Sequence, residues 1–451
     1  MANCNISESD IFPKGFIKQL LIPLIIEQLL GITIGLADTI MVSSAGMEAI
    51  SGVSLVDQIN VLLMNVFGAL ATGGAVIVSQ YLGRGDRKTA QSAVKQLTLL
   101  SLYASAVIMT VCLFLCPQIL RLIFGSVEAG VMANCKTYFY ISVLSYPFLA
   151  LYNSGTAVFR SMGKTRITMV TSLLMNIINL VGNAILIFGF GLGVLGAAAA
   201  TLASRAVGGI IMTAMMRNKN NELYLTGLKR PTLEFKLIKR ILYIGVPNCV
   251  ENSMFQVGKL MVSGMVASLG TAAIAANAAT GTITMLSNIP GTAISLALVT
   301  VVGRAMGAKR PDIAVKYTKK FIGLCYVMMT GVNVLIFALA GPIVSLFSLS
   351  AEGADITISV VRVFCIFGST VWPVASTLPN CLRAAGDVKF TLIVSMLSMW
   401  LCRVALCYVL CYTAELGLHG VWLGMYADWI VKLVFFLRRF FKGKWKDIKV
   451  V

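Results

Sequence analysis

The feature that most constrains this chain is an internal repeat, because residues in its first half match residues in its second half at one spacing. Subtracting 23 from 247 gives an offset of 224, and the pairs at that offset are Pro23/Pro247, Glu27/Glu251, Met41/Met265, Gly46/Gly270, Gly83/Gly307, Ala90/Ala314, Lys95/Lys319, Gly193/Gly417 and Gly196/Gly420. Arg160/Arg383 and Thr168/Thr391 match at 223, so only small loop changes separate the copies. A repeat of this length in an apolar chain predicts two structural lobes with a site between them, as in many secondary transporters.

The composition predicts a membrane protein. With 58% hydrophobic and 12% charged residues among 451, the chain has too many apolar side chains for one soluble core. Apolar segments of about 20 residues recur, and each is long enough to cross a bilayer as a helix. We therefore predict an all-α polytopic membrane protein with twelve transmembrane helices in two parallel six-helix repeats. The predicted spans are residues 16–43, 52–79, 93–117, 131–157, 167–189, 192–216, 241–268, 272–302, 314–340, 355–384, 387–412 and 416–441.

The positive charges predict how these spans are oriented. Most of the 37 Lys and Arg residues lie in the terminal segments and in alternate loops, whereas the opposite loops hold only Arg121 and Lys136. This asymmetry follows the positive-inside rule and predicts that both termini are cytoplasmic. The net charge of +19 then reports topology rather than a nucleic-acid partner. The predicted regions are a cytoplasmic N-terminus at 1–15, an N-lobe at 16–216, a cytoplasmic linker at 217–240, a C-lobe at 241–441 and a basic cytoplasmic tail at 442–451.

The residues that enzymes and ATP-driven pumps need are scarce. His419 is the only histidine, and the eleven cysteines show no Cys-x-x-Cys spacing. The chain also lacks the Gly-x-x-x-x-Gly-Lys loop that binds ATP phosphates. We therefore predict a protein that is not an enzyme and has neither a metal site nor a cofactor.

Charged residues inside predicted spans are the first candidates for function, because burying a charge at bilayer depth is costly. Glu27 and Asp38 lie eleven residues apart in the first span, which places them on one helical face about 16 Å apart. The structural alternative is that each carboxylate pairs with Lys259 or Arg205. Glu251 is the repeat counterpart of Glu27, and both are candidates for substrate binding. Glu251 would bind cationic substrates or form a second ion site in the C-lobe.

The fifth and sixth spans carry polar side chains at helical spacing. Asn176, Asn179 and Asn183 lie on one face of the fifth span, and Thr201 and Arg205 lie four residues apart on the sixth. Asparagines also join neighbouring membrane helices, so packing is the alternative interpretation. Together with a carboxylate, these amide and hydroxyl oxygens would suit a proton relay or Na⁺.

Two further groups of residues are candidates for substrate binding and for bending. The seventh span presents Met254 and Met261 beside Phe255 and Gln256, and flexible methionines suit ligands of varied shape, although they also pack against lipid. Asn153 in the fourth span adds an amide. Pro23 and Pro247 each remove a helical hydrogen bond, so we predict hinges there.

These residues resemble those of a known family, the multidrug and toxic compound extrusion (MATE) transporters. The segments that carry the resemblance are residues 37–42 (ADTIMV), 80–86 (QYLGRGD), 159–165 (FRSMGKT), 179–189 (NLVGNAILIFG) and 193–199 (GVLGAAA). The resemblance implies two six-helix bundles around a central cavity, in the inner membrane of a bacterium. It also implies export of small amphipathic, often cationic compounds in exchange for H⁺ or Na⁺, by a functional monomer that needs no cofactor besides the ion.

The resemblance also assigns residues. In the proton-coupled branch, an N-lobe network combines an Asp of the first span with an Asn and an Asp of the fifth and a Thr of the sixth. Here these correspond to Asp38, Asn179 and Thr201, while Asn183 stands where the second acid is expected. The acid that the sodium-coupled branch carries inside the tenth span is replaced by Asp355 at its start. With one titrating carboxylate, we favour H⁺ over Na⁺, which needs four or more converging oxygens.

One alternative belongs to the same superfamily. A lipid-linked sugar flippase would line its cavity with basic residues that meet a pyrophosphate. Arg205, Lys259 and Arg403 are the candidates for that role.

Overall fold

A computed structural model describes residues 8–13, 15–44, 46–125, 127–226, 232–448 and 450–451. Within these ranges the regular secondary structure is entirely helical. Residues 1–7 and 14 of the predicted N-terminal segment, residues 227–231 of the predicted linker and Lys449 of the predicted tail lie outside the described residues. The chain divides into two compact units, one of residues 12–249 and one of residues 250–451 together with the short helix α1 (Glu8–Ile11).

The N-terminal unit is a bundle of long apolar helices. Its core contains the buried side chains of Val56, Phe67, Leu120, Phe139 and Tyr146. The helices are α2 (Phe16–Ser43), α3 (Met47–Gly83), α4 (Arg87–Phe124), α5 (Ala129–Leu144), α6 (Tyr146–Ser161), α7 (Thr165–Asn183), the π-helix π1 (Ala184–Gly189) and α8 (Gly193–Met216), followed by the first part of α9 (Phe235–Ala267).

The C-terminal unit repeats this order with a more aromatic core. Phe364 packs edge-on against Trp422 and Trp429, and Phe367 stacks on Tyr426 at 4.4 Å between ring centroids. After α9 the helices are α10 (Thr271–Ser287), α11 (Ile289–Gly307), α12 (Pro311–Ala338), α13 (Ala340–Ser345), α14 (Ala351–Thr370), α15 (Trp372–Ala384), α16 (Val388–Ser398), the π-helices π2 (Met399–Leu406) and π3 (Val409–Thr413), α17 (Gly417–Lys442) and a 3₁₀ turn (Lys444–Asp447).

Helix occupies each of the twelve predicted spans, but the ninth is broken near its end at Leu339 and three others are interrupted well inside their length. The fourth, eighth and tenth spans break at Ser145, Asn288 and Val371, and a proline lies within the first two residues of each following helix. Proline lacks the backbone N–H and disfavours a helical residue before it, which explains the breaks. Pro23 and Pro247, the predicted hinges, lie inside the continuous helices α2 and α9.

Ten described helices are long and apolar enough to cross a membrane. The two predicted spans that these ten helices do not represent have simple explanations. The fourth is divided into α5 and α6, and each half has only 16 residues. The seventh, α9, contains Asn248, Glu251, Asn252 and Lys259, which make it less apolar than its neighbours.

Candidate functional site

The N-terminal unit holds a buried polar cluster around Asp38. The side-chain amide of Asn183, at the end of α7, donates a hydrogen bond to Asp38 Oδ1. Asn183 is fully buried, and its own Oδ1 accepts no hydrogen bond from the described residues. The π-helix π1 begins at the next residue, and such wide turns occur often at functional sites. The predicted contact between these two residues is therefore present, with one amide oxygen left open.

A second pair of predicted residues lies in the same unit. Asn179 Nδ2 donates to Thr201 Oγ1 at 3.2 Å, joining α7 to α8. Both side chains are nearly buried. One turn further along α8, Arg205 Nη1 donates to Ser145 Oγ at 2.8 Å, at the break between α5 and α6. The guanidinium thus lies inside the unit and interacts electrostatically with Asp38.

The cluster contains a second acid that the sequence reasoning did not assign to it. Asp57, on α3, accepts a hydrogen bond from Asn60 Nδ2 at 3.1 Å, and Asn60 Oδ1 accepts one from the Tyr146 hydroxyl at 2.7 Å. Asp57 interacts electrostatically with both Asp38 and Arg205. The expectation of a single carboxylate is therefore corrected: the second acid comes from α3 instead of α7. The spacing of Asp57 and Asn60 within a predicted span was the signal available in the sequence.

Glu27 lies in an ion pair with a residue from the end of α6. Arg160 Nη2 and Glu27 Oε1 are 2.6 Å apart, and Thr168 Oγ1 donates to Glu27 Oε2 at 3.0 Å. This contact is the ion pair that the structural alternative proposed, but its partner is Arg160 instead of Lys259 or Arg205. Sequence spacing could not identify the actual one, because Arg160 is 133 residues away.

Glu251 forms the corresponding pair in the C-terminal unit. Arg383 Nη2 and Glu251 Oε1 are 2.5 Å apart, and Arg383 Nη1 also donates to Asn380 at 3.0 Å. Glu251 Oε2 is buried and has no hydrogen-bond partner among the described residues. Lys259 is again not the partner. The two matched pairs of the repeat, Glu27/Glu251 and Arg160/Arg383, thus form the same contact twice.

The C-terminal unit also contains a pocket of about 430 Å³. Its charged lining residues are Lys259, Arg403, Asp428 and Lys432, and Phe255 lies among them. A second pocket of about 250 Å³ shares Phe255 and Lys432 with the first.

The predicted substrate-binding residues are distributed unevenly around these pockets. Glu251 and Met254 line the second pocket, and Phe255 lines both. Gln256 and Met261 line neither of the two, and Met261 is exposed, as the lipid-facing alternative expects. Asn153 lies on α6 of the N-terminal unit. Among the described residues, no group of three or more His, Cys, Asp or Glu side chains could hold a metal ion.

Comparison with known proteins identifies the class and then the family. The chain combines many membrane-spanning helices with two repeated halves and buried ionisable groups. This combination is typical of a polytopic membrane transporter. The sequence model of the MatE family matches residues 23–185 and 247–409, two segments at the offset of 224. This chain therefore belongs to the MatE family.

Individual relatives agree with this assignment. A protein of Thermotoga maritima named probable multidrug resistance protein NorM is 28% identical over 97% of this chain and 94% of its own length. The uncharacterized transporter YisQ of Bacillus subtilis is 29% identical over 94% of this chain and 93% of its own. Among solved structures, a MOP superfamily transporter from Pyrococcus furiosus gives a TM-score of 0.89 at 22% identity, with 97% of each chain covered. A MATE structure in the bent conformation gives 0.87 at 22% identity, with 95% of each covered.

These findings confirm three predictions. The fold is an all-α polytopic membrane protein built from two repeated halves. The resemblance to MATE transporters is a family relationship. The chain is a multi-pass membrane transporter and not an enzyme, because its whole family consists of transporters.

Proposed function

We propose that this protein is a secondary active efflux transporter that exports small amphipathic compounds in exchange for an ion by alternating access. The observation that carries the proposal is the buried cluster in which Asp38 accepts a hydrogen bond from Asn183. Relatives named as multidrug resistance proteins over nearly the full length support the efflux assignment. The distribution of positive charge supports cytoplasmic termini in a bacterial inner membrane, and we propose a monomer as the functional unit.

The cluster supports coupling to one positive charge per cycle. Asp38 and Asp57 carry two formal negative charges, and Arg205 supplies one positive charge, so one negative charge remains to be balanced. Binding one proton or one Na⁺ would neutralise it. Loss of that charge would weaken the attraction between Asp38 and Arg205 and bias the position of α2, which contains Pro23.

We favour H⁺ as the coupling ion. A proton needs one carboxylate oxygen, whereas Na⁺ needs several oxygens converging at bond distance. In the cluster, the Asn179 amide and the Thr201 hydroxyl are already hydrogen-bonded to each other. Asn179 donates through its nitrogen, so its amide oxygen, like Asn183 Oδ1, accepts no described hydrogen bond. H⁺ binding needs only the Asp38 carboxylate, whereas a Na⁺ site would need these oxygens to converge on one point.

The experiment that tests this proposal measures uptake into inside-out vesicles across which an ion gradient is imposed. We expect a pH gradient in sodium-free buffer to drive uptake of an amphipathic dye. Vesicles that contain the Asp38→Asn variant serve as the negative control. No transport in sodium-free buffer, with recovery on adding Na⁺ at fixed pH, would assign Na⁺ instead.

The flippase alternative receives less support from the geometry. Lys259 and Arg403 line one pocket, but Arg205 is held by Ser145 in the polar cluster of the other unit. Arg205 therefore already donates to a partner within its own unit.

A further inference from the structure

The larger pocket of the C-terminal unit has an excess of positive charge. Asp428 is fully buried, and its carboxylate lies 3.0 Å from Lys432 Nζ, one helical turn along α17. This pair is neutral as a unit. Lys259 and Arg403 remain, and neither forms an ion pair with a described residue. Arg403 also interacts electrostatically with Asp428, so the pocket carries three cations against one lining carboxylate.

Arg403 is held in place by an aromatic ring. It lies on the π-helix π2, and its Cζ is 5.0 Å from the centroid of the Phe255 ring. A guanidinium over an aromatic face keeps its N–H groups free at the edge to donate to an anion. Because Arg403 is only partly exposed, a ligand anion would meet it with little competing water.

Flat aromatic side chains form the apolar part of the same pocket. Phe364, Trp372, Trp422 and Trp429 all line it. The indole N–H of Trp422 donates to Asn277 Oδ1 at 3.2 Å, so that ring is fixed in orientation. Such a wall suits a planar ring system, and a volume of about 430 Å³ lies in the range of small-molecule sites.

We propose that this pocket binds an amphipathic aromatic anion, such as an aryl sulfonate or carboxylate. The acidic group of the ligand lies between Arg403 and Lys259, and its rings lie against Trp422 and Trp429. The proposal names a substrate class for the efflux function and rests on it for transport, but binding can be measured without transport.

The repeat shows that this excess of positive charge is found in only one of the two units' matched positions. The position of Asp38 plus 224 is Val262, and the position of Asn179 plus 224 is Arg403. The C-terminal unit therefore has a valine where the N-terminal unit has its acid, and a cation where it has an amide.

The test is calorimetric binding to the purified full chain in an uncharged detergent. The probes are naphthalene-2-sulfonate, the neutral naphthalene-2-methanol and the cationic naphthylmethyl-trimethylammonium. We expect the sulfonate to bind about tenfold or more tightly than the other two, since charge-assisted hydrogen bonds exceed neutral ones. Arg403→Gln should weaken sulfonate binding about tenfold and leave the neutral probe unchanged.

Arg362→Gln is the matched control. Arg362 lies on α14 over the Phe337 ring at 5.6 Å and lines neither pocket, so its loss should leave sulfonate binding unchanged. If Arg403→Gln does not fold, Lys259→Gln supplies the same readout, because Lys259 is exposed.

Several outcomes would overturn the proposal. The first is that the cationic probe binds as tightly as the sulfonate or more tightly. The second is that Arg403→Gln and Lys259→Gln leave the sulfonate affinity unchanged. The third is that Arg362→Gln lowers the sulfonate affinity as much as Arg403→Gln does. Tight binding of inorganic pyrophosphate with no binding of the sulfonate would assign a phosphate site instead. Sulfonate binding with no gradient-driven transport would refute the efflux function while leaving the ligand class intact.

Discussion

The two units share a scaffold but differ at their polar centres. In the N-terminal unit, Asp38 and Asp57 outnumber Arg205, and the surrounding groups are amides and hydroxyls. In the C-terminal unit, cations outnumber the single acid Asp428, and the surrounding groups are aromatic rings. The comparison shows that the two halves of one repeat differ in charge, which agrees with the proposed coupling ion in one unit and the proposed organic ligand in the other.

What both units retain is one buried ion pair. Glu27 with Arg160 joins α2 to α6, and Glu251 with Arg383 joins α9 to α15. These are the first and fourth spans of each repeat. Because the pair is present in both units while the polar centres differ, we propose that it holds the scaffold of each unit.

The largest expected effect is the loss of efflux when the acid of the N-terminal polar centre is removed. Asp38→Asn removes the charge that the coupling ion would balance, so we expect gradient-driven efflux to be abolished while membrane insertion is unchanged. The measurement is dye efflux from cells that express matched amounts of protein. Asp312→Asn, on an exposed acid, is the control. Efflux by Asp38→Asn at the parental rate would show that Asp38 is not the coupling carboxylate.

The next effect compares the two ion pairs. Arg160→Ala and Arg383→Ala each leave a buried carboxylate without its cation, which costs about 3–5 kcal/mol. We expect Arg383→Ala to lower the Tm of the purified protein more, because Glu27 keeps the hydrogen bond from Thr168 whereas Glu251 Oε2 has no other donor.

Charge-neutral double variants sharpen this result. Glu251→Gln with Arg383→Gln should recover part of the Tm that Arg383→Ala loses, since no buried charge is left unpaired. A Tm unchanged by both single variants would argue against a scaffold role for the pairs.

A smaller effect concerns substrate selection. Glu27 and Glu251 are candidates for substrate binding, Glu251 for cationic substrates, but each already faces an arginine. We therefore expect Glu251→Gln to slow efflux of cationic and neutral dyes by similar factors. Selective loss of the cationic dye would instead restore the predicted role, with Glu251 Oε2 as the contact.

The smallest effect lies in the loop before α4. Asp86 caps this helix by accepting from Thr89 N at 3.0 Å, whereas its repeat counterpart, Arg310, forms no side-chain cap. Asp86→Ala should cost about 1 kcal/mol, seen as a small fall in Tm, and Lys88→Ala on the same turn should not change it.

The same cap predicts a pH dependence. The hydrogen bond from the Thr89 backbone N–H holds the pKa of Asp86 below its ordinary value. The stabilisation is therefore complete above the ordinary pKa of Asp, about 3.9, and is lost as the pH falls through the lowered value. The difference in Tm between the parent and Asp86→Ala should shrink in acid. A constant difference would mean that the ionised cap is not responsible.

Much of the fold could be predicted because it follows from local composition. Apolar length specifies a membrane helix, and helix indeed occupies all twelve predicted spans. The sequence also grouped Asn183 with Asp38 in one polar network, though through a family resemblance, and the structure joins the two by a hydrogen bond. The partners of Glu27 and Glu251 were not, since Arg160 and Arg383 lie 133 and 132 residues away in the sequence.

The sequence by itself determined the duplication, the helical membrane class and the family, because an offset of 224 and long apolar runs are properties of residue order alone. Only the tertiary structure decided which charges meet. Asp57 lies near Asp38, Arg160 pairs with Glu27, and Arg403 lies over the Phe255 ring without a direct ion pair to a described residue. The reason is physical: helical spacing sets the face on which a side chain lies, but its partner depends on which helices pack against that face.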